Sequence, residues 1–383
     1  MPPRILISAG EASSDMYAAR LAEALRARTG AEFFGMGGPR MAAAGVDLIA
    51  DYHEVAVVGI TEVLHKIPTV VGVQRRLARE AAGRGASLAI LVDSPGTHLG
   101  VARRLKARGI PVGYFIGPQV WAWRPGRVRV VKRLVKRMVV IFPFEEQIYR
   151  DAGVPVDFVG HPLVDVVKPT LTREQFAARH GLDASRPIVA LLPGSRRGEI
   201  ERHYPVLVEA CDRLSQAMNP AGVQFVLAAA SGLPAQLFAR LAGRLDGQPT
   251  PVIHRVEGAP YDALAAADCA VVASGTATVE AALLGTPMVV VYRVAPLTAW
   301  ILRRMIHTPH IGMVNLIAGR MVAPELIQDR FTPAAVAGEL RRLLESSAAR
   351  EQVKAGLSEV RAKLGPGGAI ERAADVFARM IQL

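Results

Sequence analysis

Only two cysteines, Cys211 and Cys269, occur in 383 residues. Their spacing matches neither a zinc ligand set nor a disulfide framework. Both are expected to be buried thiols of a chain kept in a reducing compartment. Aromatic residues make up only 5%, which leaves the core to aliphatic packing. No apolar run approaches the roughly 18 residues that a membrane-spanning helix needs. The first residues, "MPPRILISAGEASSD", lack the long apolar stretch and cleavage pattern of a signal peptide. The expectation is a cytoplasmic chain, at most peripheral to a membrane. Acidic residues are outnumbered, with Asp+Glu 34 against Lys+Arg 46 and a formal charge of +12. That balance suits an anionic partner, such as nucleic acid, acidic lipid or a phosphorylated substrate, or else reflects an arginine-rich genome. There is no Gly-Lys-Ser/Thr phosphate loop and no Gly-x-Gly-x-x-Gly after the first strand. This argues against a P-loop enzyme and a dinucleotide-dependent dehydrogenase.

What is present is alternation. Short β-branched runs, "RILISAG", "SLAILVDSPG", "VGYFIG" and "RMVVIFPF", are separated by Ala/Arg/Leu-rich helical patterns. Continuous apolar runs suit parallel strands buried on both faces. Strand–helix alternation predicts a doubly wound α/β sheet. The pattern breaks at "KPTLTREQFAARHGLDASRP" and resumes with "IVALLPGSRRGEIE", "VQFVLAAA", "CAVVASG" and "PMVVVYR". The length exceeds what one core ordinarily supports. Two Rossmann-like domains facing a cleft are therefore expected, residues 1–168 and 169–365, with a last helix at about 366–383 packing back on the first.

In open α/β sheets ligands bind beyond the carboxyl ends of the strands, so the loops there carry the candidates. In "LLPGSRRGEIE", Pro193-Gly194 makes a turn, Ser195 is a candidate helix cap and Arg196 a phosphate partner. In "ASGTATVE", Ser274, Gly275, Thr276 and Ala277 offer free amides at a second helix start. Glu280, one turn on, is placed to accept ribose hydroxyls or to complement the helix dipole. Two such turns in one half point to a nucleotide diphosphate. In "SAGEASSD", Gly10 permits tight geometry, and Ser13, Ser14 and Asp15 are candidate caps. Glu11 is harder to explain as capping. Asp93 of "LVDSPGTHLG" is either a turn-forming residue or a general base for an acceptor hydroxyl. His98, a lone histidine, reads as a surface or loop residue. The segment 117–137, "GPQVWAWRPGRVRVVKRLVKR", pairs tryptophans with a basic run. It comes without any RRM, KH or helix-turn-helix signature, which disfavours nucleic acid and leaves a lipid-phosphate surface or a solvated helix. The segment 57–77, "VVGITEVLHKIPTVVGVQRRL", suits an interfacial helix or a core helix with a charged flank.

Taken in order, "GEASSD", "GMGGPRM", "VVGITEVL", "PQVWAWR", "FPFE", "FVGHPLVD", "LLPGSR", "ASGTATVE", "VVVYR" and "NLIAGR…PELIQ" resemble the bacterial lipid-A-disaccharide synthases across almost the whole chain. The resemblance implies an inverting GT-B glycosyltransferase that needs no metal and no cofactor. Its donor would be UDP-2,3-diacylglucosamine and its acceptor 2,3-diacylglucosamine 1-phosphate, at the cytoplasmic face of the inner membrane. It casts Asp93 as the base and Arg196 as the essential arginine near the diphosphate. The donor side comprises Gly194, Ser195, Ser274, Gly275, Thr276, Ala277, Glu280, Tyr292, Arg293, Asn315 and Gln328. The acceptor side comprises Gly10, Glu11, Ser13, Gln119 and Trp121, and membrane contact falls to Val63, Leu64, Ile67, Val70 and Val71. Family members can be monomers or dimers that exchange C-terminal parts. The chain departs from the family pattern at Ser14, Gly96, Thr97, His98, Gly117 and Met321, changes that bear on the acceptor more than on the donor pocket. Two rival functions share parts of this pattern: another UDP-sugar enzyme of the same fold, including a UDP-N-acetylglucosamine epimerase, and an inactive UDP-sugar-binding membrane protein.

Overall fold

The computed structural model describes residues 2–55, 60–118, 126–218, 222–230, 232–243, 251–305 and 308–381, without the side chains of 60–65, 297, 301, 302 and 305. Two compact units emerge: Met1–Pro162 with Leu364–Leu383, and Leu163–Lys363.

The first unit holds seven parallel strands, β1 (Arg4–Ala9), β2 (Glu32–Gly37), β3 (Asp47–Asp51), β4 (Leu88–Val92), β5 (Val112–Phe115), β6 (Arg137–Val140) and β7 (Val156–Phe158). They lie in the order β3-β2-β1-β4-β5-β6-β7. The strand cores are continuous apolar runs because helices cover both faces. Ile5, Leu6 and Ile7 of β1 and every residue of β4 are wholly buried. The order reverses between β1 and β4, which pair in register from Ile5 with Leu88 to Ala9 with Val92. The C-terminal helix Ala369–Ile381 packs on helix Ala12–Thr29, where Arg28 reaches Glu371 and Asp375 at 2.6 and 2.7 Å. Its Phe377 ring fills the space that a side chain at Gly113 of β5 would need.

The second unit repeats the plan with six parallel strands, β8 (Ile188–Leu192), β9 (Gln224–Ala229), β10 (Ile253–Glu257), β11 (Cys269–Ala273), β12 (Met288–Tyr292) and β13 (Glu325–Ile327). Their order is β10-β9-β8-β11-β12-β13. The reversal falls between β8 and β11, where Leu192 pairs with Val272. Both cysteines are free and buried.

Helix Ile60–Gly83 carries Pro68 within it. Its second half is a core helix: Val73, Leu77, Ala78 and Ala81 are buried, and Val70 packs against the same cluster. The exposed side of the described part begins at Ile67, 48% accessible. Of the residues expected to touch a membrane, Val70 thus leans into the core and Val71 is half-buried. The side chains of Val63 and Leu64 lie outside the described residues. No described helix is long and apolar enough to cross a membrane.

Candidate active site

Four of the turns singled out in the sequence follow the strands at the two reversal points: 10–15 after β1, 93–98 after β4, 193–196 after β8 and 274–277 after β11. At such a point the connections leave to opposite faces and open a crevice at the carboxyl edge.

In the first unit the two turns touch. A Cβ placed on Gly10 would come within 2.4 Å of Ser94 Oγ, so glycine is what lets the β1 turn close on the β4 turn. Ser14 knots the first of these turns. Its hydroxyl accepts from the N–H groups of Gly10 and Glu11 and donates to the Glu11 carbonyl. Ser13 is exposed and makes no cap. Asp15 does not cap its own helix either. Buried, it accepts from the N–H groups of Gly38, Arg40 and Met41 at 2.7–3.2 Å and caps the next helix, Pro39–Ala43. Gln119 and Trp121 lie outside the described residues.

Asp93 and Ser94 are both left-handed, with φ of 53° and 49°. For residues other than glycine this costs about 1–3 kcal/mol each and is characteristic of functional sites. Burial, and then the negative charge of Glu11, push the Asp93 carboxyl up to about 6, against a smaller opposing pull from the Ser94 N–H. His98 is not the surface residue that the sequence suggested. It is fully buried, with Nδ1 2.7 Å from the Asp93 carbonyl and Nε2 2.9 Å from Ser8 Oγ. Burial lowers its pKa to about 4, so the ring is neutral. The ring is held from both sides, by the Asp93 carbonyl nearby and by Ser8 far along the chain, and the second of these leaves no local pattern in the sequence.

In the second unit, Gly194 has φ of 122°, and a Cβ there would meet Glu199 Oε2 at 2.4 Å. Glu199 curls back over the turn and accepts from the N–H groups of Ser195 and Arg196 at 3.0 and 3.3 Å. Ser195 is therefore not the cap of helix Arg197–Ala217; Glu199 satisfies those amides. Arg196 is 62% exposed and lies 3.6 Å from Glu199 Oε1. At the neighbouring turn Gly275 precedes helix Thr276–Leu284, and no side chain caps it. The Ser274 hydroxyl is spent on the Ile311 carbonyl. Thr276 is exposed and Ala277 half-buried. Burial raises the Glu280 carboxyl to about 7, with Tyr261 OH at 3.5 Å pulling the other way.

His203, a residue that the sequence did not single out, ties the 193–196 turn to the end of β12. Its Nδ1 donates to the Pro193 carbonyl at 2.7 Å, which leaves Nε2 to accept from the Arg293 N–H at 2.9 Å. The Arg293 guanidinium holds the carbonyls of Gln328 and Phe331. Tyr292 OH lies 3.4 Å from Glu199 Oε1. Beyond β12 opens a cavity of about 560 Å³ with Arg202, Arg293, Pro296, Trp300 and Gln328 among its walls.

Asn315 does not join this lining. It is fully buried, its Nδ2 donates to the Ala323 carbonyl and Glu325 Oε1, and its Oδ1 accepts from the N–H groups of Val322 and Ala323. No valence is left for a ligand.

Two parallel α/β units whose strand order reverses in this way are the plan of the GT-B fold of glycosyltransferases. Solved structures agree. The Staphylococcus aureus MnaA–UDP structure matches with a TM-score of 0.68 at 13% identity, covering 100% of this chain and 97% of that one. The calicheamicin glycosyltransferase CalG4 matches at 0.59 and 16%, covering 100% and 98%. The lipid-A-disaccharide synthetase family model matches residues 5–377. The lipid-A-disaccharide synthase of Myxococcus xanthus (strain DK1622) is 49% identical over 376 residues, 98% of this chain and 96% of that protein. The chain belongs to the lipid-A-disaccharide synthase family, glycosyltransferases of lipid A biosynthesis.

Asn315→Ala strands the buried N–H groups of Val322 and Ala323, at a stability cost of about 1–3 kcal/mol for each. Urea unfolding measures this. UDP affinity of the folded variant should stay within about threefold, since loss of a donor contact costs more.

Proposed function

We propose that the protein joins UDP-2,3-diacylglucosamine to 2,3-diacylglucosamine 1-phosphate, forming the β-1,6-linked disaccharide and releasing UDP. The observation that carries this reading is the placement of both phosphate-type turns after adjacent strands β8 and β11, with a matching turn in the first unit that bears a buried, raised carboxyl.

The chemistry is a direct displacement. The acceptor's 6-hydroxyl oxygen bonds to the donor's anomeric carbon, and the proton passes to Asp93. The bond from that carbon to the phosphate oxygen breaks, and its electron pair leaves on UDP. The developing charge is met by Arg196 and by the N–H groups at the starts of helices Arg197–Ala217 and Thr276–Leu284. Diphosphate at the first of these must displace Glu199, which holds the amides of Ser195 and Arg196. Glu280 accepts the ribose hydroxyls, a role that its raised pKa permits because either form of the carboxyl has an acceptor oxygen. An epimerase would share the second-unit turns and has no need of an acceptor base.

Arg196→Ala should lower kcat on the order of 100- to 1,000-fold, and Asp93→Asn on the order of 100-fold or more. Near-normal turnover by Asp93→Asn removes the base assignment. Asp93 is a competent base only when ionised, so kcat/KM should fall as the pH drops through about 6. Glu11→Gln removes a like charge that raises this value, so the acid limb should move to lower pH.

Acylated substrates reside in a bilayer. We assign contact with the cytoplasmic face of the inner membrane to helix Ile60–Gly83, where Ile67, Pro68 and Thr69 are exposed, and to the exposed basic residues Arg129, Lys132, Arg133 and Lys136. Vesicles with anionic lipid should sediment the protein, and high salt should weaken the association. Equal binding to neutral vesicles removes the basic surface from the account.

A further inference from the structure

Asp93 and Ser94 occupy consecutive left-handed positions without being glycines, and the sequence offers no local device that would keep them there. Two side chains converge on one backbone atom to do so. The Asp93 carbonyl oxygen accepts from Tyr114 OH and from His98 Nδ1, each at 2.7 Å. We propose that His98 and Tyr114 are positioning residues for the base: together they clamp the Asp93 carbonyl and so hold its carboxylate at the carboxyl edge of the sheet, beside the Glu11 turn.

The clamp rests on the assignment of Asp93 as the base and extends it. Its parts come from three elements. Tyr114 lies in β5 and is wholly buried, His98 in helix Pro95–Lys106, and Ser8 in β1. A carbonyl can only accept, so His98 Nδ1 carries the proton. In the neutral ring Nε2 is then an acceptor, and it takes the Ser8 hydroxyl at 2.9 Å. The ring is thereby fixed at both nitrogens. Burial keeps the imidazole neutral and the Tyr114 phenol protonated, so both donors persist across the working pH range. The neighbouring turn adds a third restraint, because Ser94 packs against Gly10 so closely that a Cβ there would collide. With the carbonyl released, the strained pair can relax toward extended backbone, and the carboxylate swings with it. A displacement of about an ångström of a reacting group costs on the order of a hundredfold in rate.

Asparagine offers the conservative replacement. Its Nδ2, like the imidazole Nδ1, is bonded to Cγ, so His98→Asn keeps an N–H within reach of the Asp93 carbonyl and loses only the Ser8 contact. His98→Leu removes the donor, and Tyr114→Phe removes the other while keeping the ring.

The test is steady-state kinetics of the full-length enzyme and its variants with UDP-2,3-diacylglucosamine and its acceptor. Circular dichroism and melting serve as checks on folding. The expected result is a kcat lowered on the order of ten- to a hundredfold in both His98→Leu and Tyr114→Phe, with the donor KM within about twofold. Most of the rate should return in His98→Asn. The acid limb of kcat/KM should also move below that of the parent, because a released Asp93 is better solvated and less exposed to Glu11. A general packing defect would not produce that combination. Folded His98→Leu and Tyr114→Phe enzymes with parental kcat and pH profile overturn the clamp, as does a His98→Asn enzyme no better than His98→Leu. Asp93→Asn, assayed alongside, separates the two levels. Activity in that variant means that the base assignment is wrong. Its inactivity beside full-rate clamp variants means that the clamp alone is wrong.

Discussion

Strand order governs where chemistry can occur in this protein. In each unit the sheet winds outward in one direction and then in the other, and the change falls between β1 and β4 and between β8 and β11. Helices cover the faces of the sheets, and β4 is wholly buried beneath them. At the two reversals the connections of adjacent strands leave to opposite faces, and their turns emerge side by side at the carboxyl edge. Everything argued about Asp93, Arg196 and the turn at Gly275 depends on that topology.

The same edge creates an electrostatic demand. Helices that start there direct N–H groups outward, and those groups attract negative charge. The fold meets the demand with carboxylates where it needs rigidity. Asp15 takes three amides at the start of the next helix, and Glu325 takes those of Ile311 and Gly312. Glu199 does the same over Ser195 and Arg196, but differs in position: it covers a turn at the reversal point. There a carboxylate stands where a phosphate of the proposed donor would be bound. Gly275 has no such cover.

Much of this was legible in the sequence, for a physical reason. Strands buried on both faces are continuous apolar runs, and the turns that end them carry glycine, proline and small polar residues, so "RILISAG", "LAILVDSPG", "LLPGS" and "VVASG" announce both strand and loop. What could not be read was set by partners far along the chain. His98 reads as a loop residue until Ser8, ninety residues away, is brought beside it. Asn315 reads as a ligand-facing amide until the 322–325 segment closes on it. Ser195 is the better local cap by composition, yet Glu199 wins because a single side-chain oxygen one turn along accepts from two amides at once. His203, joining Pro193 to Arg293, carried no sequence signal beyond being one polar residue in a helix.

The most direct measurement of the central claim is a crystal structure of the enzyme with UDP. The account predicts the diphosphate on the N–H groups of Ser195 and Arg196 and at the start of helix Thr276–Leu284, with Glu199 turned away and Glu280 on the ribose. Diphosphate bound elsewhere, with Glu199 still on those two amides, contradicts it.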